Sequence, residues 1–175
     1  MNSLEVSIRP CEECDMLAIT AIYRHHVLNS PATFEIEPPG IREMMARRAR
    51  LLEGGFPYLV AERGDEVIGY AYAGPYRPRP AYRFTVENSV YVRPGNLRQG
   101  IGQRLLTALL ADCAQKGFRQ VIAVIGDSAN QASISLHEQM GFRLVGTLRA
   151  VGFKFDRWYD SVLMQRELGG VDSHW

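Results

Sequence analysis

Apolar positions along this chain recur first at helical and then at strand spacing. Met16, Ile19, Ile22, Tyr23 and Val27 fall on one face of a helix predicted over 15–28, after a short strand over 6–9. Pro31, Pro38 and Pro39 mark a loop over 30–40, and a second helix over 41–52 stops at Gly54-Gly55. The period then changes. Segments 58–63 and 67–74 read as a hairpin across Gly64-Asp65, followed by a third strand over 84–92. A helix over 100–116 stops at Gly117, and 120–125 is almost wholly apolar, the pattern of a strand covered on both faces. A helix over 130–140 and strands over 142–149 and 158–167 complete the set. These elements predict one mixed α/β domain over 1–175, with a frayed tail at 170–175.

The junction between the third strand and the next helix carries the strongest chemical signal. Val90-Tyr91-Val92 leads into Arg93-Pro-Gly-Asn-Leu-Arg98-Gln99-Gly100-Ile101-Gly102-Gln103 and then the helix. Glycines at 100 and 102 let the main chain approach a ligand, and the unpaired N–H groups of the first helical turn point at it, so the loop is suited to phosphate. Two other phosphate loops fail on residues. A dinucleotide fingerprint needs glycine where Leu105 stands and an acid about 20 positions on, where Phe118 to Val121 offer none. A nucleoside triphosphate loop needs Lys-Ser/Thr where Ile101-Gly102 stands. A diphosphate cradle made of backbone remains.

Composition narrows the partners. With 20 basic and 19 acidic residues in 175, the net charge of +1 gives no reason to expect nucleic acid or a membrane surface. No N-terminal apolar stretch resembles a signal peptide, and the run around Leu105 to Ala111 is broken by Asp112, so a cytoplasmic protein is expected. Cys11-Glu-Glu-Cys14 has no second pair, His25-His26 has no partner at ligand spacing, and Cys113 lies in register with Leu105, Leu106, Leu109 and Leu110. No metal is expected.

Val90-Tyr91-Val92 with Arg98-Gln-Gly-Ile-Gly-Gln103 resembles the acetyl-CoA site of GNAT acetyltransferases. Asn130-Gln-Ala-Ser133-Ile-Ser-Leu136-His137-Glu138-Gln-Met-Gly141-Phe142 is similar to that family's second block. Leu97 departs from the usual Gln or Arg. The resemblance implies a GNAT fold: a twisted, mostly antiparallel sheet flanked by helices, its central strands splayed around acetyl-CoA. It assigns cofactor contacts to Val90, Tyr91, Val92, the main chain of Arg98, Gln99, Gly100, Ile101, Gly102 and Gln103, and to Asn130 and Ser133. Asn130 would also suit an N-cap.

Acetyl transfer to an amine needs a base, a polarised thioester carbonyl and a proton for the departing thiolate. Glu87, just upstream of Val90, is the candidate base; the GNAT resemblance implies the Val92 N–H as oxyanion donor and sets His137 in the slot where many members carry a proton-donating tyrosine, although a lone helical histidine can equally be packing. Gly74-Pro-Tyr76-Arg77-Pro78-Arg79-Pro80-Ala-Tyr82-Arg83 sets arginines among aromatics ahead of Glu87, suited to anionic oxygens.

Thr33-Phe34-Glu35, Thr85-x-Glu87-Asn88-Ser89, Val124-Ile125-Gly126 and Gly152-Phe153-Lys154-x-x-x-Trp158-x-Asp160 extend the resemblance over nearly the whole chain to phosphinothricin and methionine sulfoximine N-acetyltransferases. That resemblance implies a small amino-acid substrate, contacts from Phe34, Glu35, Arg77, Pro78, Arg79, Arg83, Glu87, Asn88, Ser89 and Lys154, Glu87 and His137 as a catalytic pair, and a homodimer. Two rivals are acetylation of a protein amine, which the Arg- and Pro-rich loop argues against, and a non-catalytic CoA sensor, which needs neither Glu87 nor His137.

Overall fold

The computed structural model describes residues 5–169; the expected frayed tail at 170–175 lies outside them. One seven-stranded sheet has the order β1-β2-β3-β4-β5-β7-β6. Its strands are β1 (Val6–Pro10), β2 (Tyr58–Arg63), β3 (Glu66–Pro75), β4 (Thr85–Val92), β5 (Gln120–Gly126), β6 (Arg143–Lys154) and β7 (Arg157–Glu167). Every adjacent pair is antiparallel except β4 and β5. The helices are α1 (Met16–Asn29), α2 (Ile41–Glu53), α3 (Ile101–Gln115) and α4 (Gln131–Gln139).

Strand alternation sorts the apolar residues into two cores. On one face Met16, Ile19 and Val27 of α1 and Met44 of α2 pack on Val60 and Tyr70. On the other, Leu105, Leu106, Leu109 and Cys113 of α3 pack on Ala71, Val86, Val121 and Met164. Each leucine or methionine fully buried this way stabilises the fold by roughly 1.5 to 3 kcal/mol. A parallel β4-β5 step needs a crossover, and α3 supplies it, which is why the Gly-rich loop sits at the end of β4.

Two expectations change. β6 runs to Lys154 rather than ending near 149, and the hairpin to β7 turns on Phe155 and Asp156, both with positive φ of 51° and 57°. Lys-Phe-Asp-Arg carries no glycine or asparagine to announce that turn. β5 is not covered on both faces: Val121, Ala123 and Ile125 are buried, but Val124 is 40% exposed. The α1–α2 loop reaches across to this half of the sheet. A Cβ on Gly152 would lie 2.4 Å from the Phe34 ring, and one on Gly126 would lie 2.0 Å from the Pro31 carbonyl oxygen. Both glycines are thus required by close approach.

Candidate active site

The site begins where two strands part. Arg93 N–H donates to Ile68 O and Tyr76 N–H donates to Thr85 O, which fixes the phase of the β3–β4 ladder. Residues 87, 89 and 91 therefore exchange hydrogen bonds with β3, and the N–H groups of Val90 and Val92 point the other way, toward β5. β5 pairs with β4 only from Thr85–Gln120 to Asn88–Ala123. Beyond that the strands diverge, and the Val92 N–H opens into the gap.

A cleft of about 420 Å³ occupies this gap, lined by the end of β4, the Gly-rich loop, β5 and α4. At its mouth Arg98 and Gly100 take positive φ of 59° and 74°, and Gly100 caps α3 without any side-chain bond. The first intrahelical bond recorded at this end is from Arg104 N–H to Gly100 O, so the N–H groups of Ile101, Gly102 and Gln103 are left for a ligand. No atom outside its own neighbours comes within 4 Å of a Cβ placed on Gly95 or Gly100, and one on Gly102 would sit 3.3 Å from Leu136 Cδ2. The loop fits a phosphorylated arm. Among the described residues no group of three or more His, Cys, Asp or Glu is arranged to hold a metal.

Glu87 and Asn88 are neighbours in the chain but lie on opposite faces of β4. Asn88 is buried on the α3 side and its Nδ2 bonds His137 Nε2 at 3.0 Å. His137 is itself buried on α4, its Nδ1 2.8 Å from Ser133 O and its ring edge-on to Phe142. Burial lowers its pKa, and the Ser133 carbonyl partly opposes this. Glu87 faces the α1–α2 side, opposite Gly74 in the register and beside Tyr72, whose ring packs on Tyr58 and Tyr70. Burial raises the Glu87 pKa, with the Arg77 charge pulling it back. Glu87 and His137 are therefore not a contacting pair: the sheet stands between them.

The remaining expected residues divide. Ser89 shares the Glu87 face and reaches Tyr72. Tyr91 lines the cleft with its backbone, while its ring packs at 5.2 Å on Tyr23 and 5.3 Å on Tyr70. Asn130 is the N-cap of α4, its side chain accepting from Ser133 N–H, and both residues also line the cleft. Ile101 turns its side chain into the core. Gln99 does not line the cleft; it accepts from Arg63 and donates to Gly95 O, closing the loop on the end of β2.

The acceptor side differs most from expectation. Lys154 donates to Ser30 O at 2.9 Å and Thr33 O at 2.7 Å, so it fastens the α1–α2 loop to β6 and is not aimed at a substrate. Glu35 is held by Arg47 and Tyr23. Pro78, Arg79 and Arg83 are exposed, and Arg83 lies over the Phe84 ring at 4.5 Å; of the three arginines only Arg77 acts on Glu87. Phe34 is partly exposed and packs on Tyr159.

His26, set aside above for want of a partner at metal-ligand spacing, is a site residue that the sequence did not single out. Its Nε2–H donates to Val92 O at 3.0 Å, its ring packs on Tyr91, and it lines the cleft. The signal was its spacing, three residues after the buried Tyr23 and on the same side of α1.

A model of the acetyltransferase (GNAT) domain matches residues 8–163. The chain belongs to the GNAT acetyltransferase family. Within it, this GNAT chain is 53% identical over 167 residues to a phosphinothricin N-acetyltransferase of Alcaligenes faecalis, covering 95% of this chain and 85% of that one. It is 38% identical to an L-methionine sulfoximine/L-methionine sulfone acetyltransferase of Salmonella typhimurium, with coverages of 93% and 95%. The crystal structure of a phosphinothricin acetyltransferase from Sinorhizobium meliloti in complex with AcCoA superposes with a TM-score of 0.91 at 47% identity, covering 94% of this chain and 89% of that one.

Proposed function

We propose that this acetyltransferase moves the acetyl group of acetyl-CoA directly to the amine of a small amino-acid analogue of the phosphinothricin, methionine sulfoximine or methionine sulfone type. The observation that carries the reading is the placement of Glu87, a half-buried carboxylate of raised pKa, on β4 just before that strand leaves β5. Acetyl-CoA as donor is supported by the open N–H groups of the Gly-rich loop and by the AcCoA complex of the similar Sinorhizobium meliloti enzyme.

In this mechanism the acceptor lies on the α1–α2 face between Phe34, Tyr72 and Arg77, its amine toward Glu87. Glu87 takes one proton from the ammonium, directly or through one water, which frees the nitrogen lone pair to attack the thioester carbon; the second proton leaves the nitrogen to solvent as the intermediate collapses. The Val92 N–H holds the oxygen of the tetrahedral intermediate, and the C–S bond then breaks. A carboxylate raised toward neutrality is a better base at pH 7 than an ordinary glutamate, because its conjugate acid is less strong. His137 presents no free N–H in its neutral form, so we assign it to positioning the cleft side and leave the thiol proton to solvent.

We further propose a single-domain, cytoplasmic homodimer. The uncovered apolar residues Val124, Leu148, Val151, Phe153 and Trp158 lie on β5, β7 and the edge strand β6, and three free cysteines suit a reducing compartment. Among the described residues no helix is long and apolar enough to cross a membrane. Acetylating phosphinothricin would remove the charge of its amine, which is the basis on which the enzyme would confer herbicide resistance.

CoA release measured over a panel of phosphinothricin, methionine sulfoximine, methionine sulfone, a neutral primary amine and a lysine peptide tests the substrate. The three analogues should lead; a leading peptide overturns the assignment. Calorimetry with Gly102→Glu tests the donor site, and unchanged acetyl-CoA affinity would place the phosphates elsewhere. Sedimentation of Trp158→Glu against the parent tests the dimer.

A further inference from the structure

Asp160 on β7 stands alone opposite three residues of β6. Leu148 pairs with Ser161 and Gly152 with Tyr159, so residues 149–151 bulge out of the ladder around it. Its carboxylate closes the bulge. Oδ1 accepts from the Ala150 N–H at 2.9 Å, where Ala150 holds a left-handed φ of 51°, and Oδ2 accepts from Arg149 Nη1 at 2.9 Å.

The same carboxylate serves β5, the other neighbour of β7. Oδ2 accepts from the Ser128 hydroxyl at 2.7 Å, and the Asp160 main-chain carbonyl accepts from the Asp127 N–H at 2.9 Å. Residues 127–130 form the turn from β5 into α4. Its shape is set internally: Asn130 N–H donates to Asp127 O and Ala129 N–H to Asp127 Oδ1, with Asp127 at a φ of 75°. Its place is set from outside. Among the described residues, the bonds that tie this turn to a neighbouring strand both end on Asp160. The turn delivers Asn130, whose side chain caps α4 at the Ser133 N–H, and Asn130, Ala132 and Ser133 all line the cleft. Neither Ser128 nor Asp160 does. The Ala150 N–H, the Ser128 hydroxyl and the Arg149 charge hold the Asp160 carboxyl below its ordinary pKa, so all three bonds are made to a charged acceptor at neutral pH.

We propose that Asp160 is a positioning residue for the donor cleft: through the Ser128 hydroxyl it holds the turn that carries Asn130 to the cleft wall, while the bulge of β6 fixes the carboxylate from its other side. Without that bond the turn keeps its internal shape but pivots on Asp127, and Asn130 moves with it. The effect on the donor rests on acetyl-CoA occupying this cleft. The hold on the turn does not.

Calorimetry with acetyl-CoA on Ser128→Ala reads the positioning and leaves the β6 bulge untouched. The variant should bind about two- to tenfold more weakly, the worth of one hydrogen bond, while KM for the acceptor holds and Ser128→Thr, which keeps a hydroxyl, restores the parent affinity. In an Asn130→Ala background the Ser128 change should cost less than it does alone, since its effect passes through Asn130. Hydrogen exchange on the unliganded protein reads the turn itself: the Ser133 amide, capped by Asn130, should exchange faster in Ser128→Ala. Asp160→Ala should act in the same direction and more strongly; should it not fold, Ser128→Ala decides alone. Unchanged acetyl-CoA affinity in Ser128→Ala overturns the proposal, as does a loss fully additive with Asn130→Ala, or an equal loss in acceptor KM that Ser128→Thr does not restore. If the parent binds no acetyl-CoA but its Ser133 amide is still loosened by Ser128→Ala, the donor reading falls and Asp160 stands as the anchor of the turn.

Discussion

His26 on α1 donates its Nε2–H to the carbonyl of Val92, so the last residue of β4 is tied to a helix on the far side of the sheet from the cleft's α4 wall. The peptide whose N–H faces the gap would otherwise end in a loop. His26→Leu leaves the Val92 carbonyl without that partner, and the fold should lose about 1 to 3 kcal/mol, read from chemical denaturation. The kcat should fall more than acetyl-CoA affinity does. An unchanged kcat would show that Val92 needs no anchor.

Glu87→Gln removes the proposed base and keeps the shape. At pH 7 kcat should drop by about 10² or more, with acetyl-CoA affinity retained in calorimetry. Full activity would reduce Glu87 to a packing residue.

The charge of Arg77 lowers the Glu87 pKa against the effect of burial. Removing it in Arg77→Leu should move the acid limb of the kcat/KM profile to higher pH, since the base then stays protonated further up the scale. KM for a methionine sulfoximine acceptor should rise as well. An acid limb that stays put would mean another group sets it.

Gly152→Ala drives a methyl into the ring of Phe34, where a Cβ would come within 2.4 Å. The α1–α2 loop must lift, so acceptor KM should rise more than acetyl-CoA affinity falls, because Gly152 does not itself line the cleft and that loop touches it only through Ala32. Equal loss of both would point to general unfolding, which a melting curve shows.

Burial lowers the pKa of both His26 and His137 below the ordinary 6.5. Below that pH the unfolded chain takes up protons that the folded one still refuses. Stability should therefore fall as pH drops through 6.5 and continue falling until the folded-state values are reached. In His137→Phe the slope of denaturation free energy against pH in this window should be shallower.

The Gly-rich loop, the strand before it and the two-sided helical packing were legible because each rests on local pattern: glycine spacing, period 2 and period 3.6. The facing of Glu87 and Asn88 follows from alternation too, yet a sequence motif places them in one block and hides that they belong to different faces. Lys154 and Glu35 read as substrate contacts because they stand in a family motif; only the fold shows that carbonyls of Ser30 and Thr33 and the guanidinium of Arg47 lie against them. Ser30 and Thr33 lie more than 100 residues from Lys154 and leave no trace in spacing, while Arg47 lies 12 residues from Glu35 but across the Pro-rich loop, where no helical or strand period applies. The Phe155-Asp156 turn was silent for another reason, since its residues tolerate a left-handed backbone only because the two flanking strands are paired.

The parting of β4 and β5 after four residue pairs has a kinetic consequence. The carboxylate of Glu87 looks out of one face of the sheet and the Gly-rich cleft opens on the other, so with Glu87 as the proposed base the two reactants would enter through separate doors and meet in the slot between the strands. Neither has to leave before the other arrives, and no side chain has to carry the acetyl group across. Initial rates at several fixed concentrations of each reactant should give intersecting reciprocal lines, the signature of a ternary complex, rather than the parallel lines of a shuttled group.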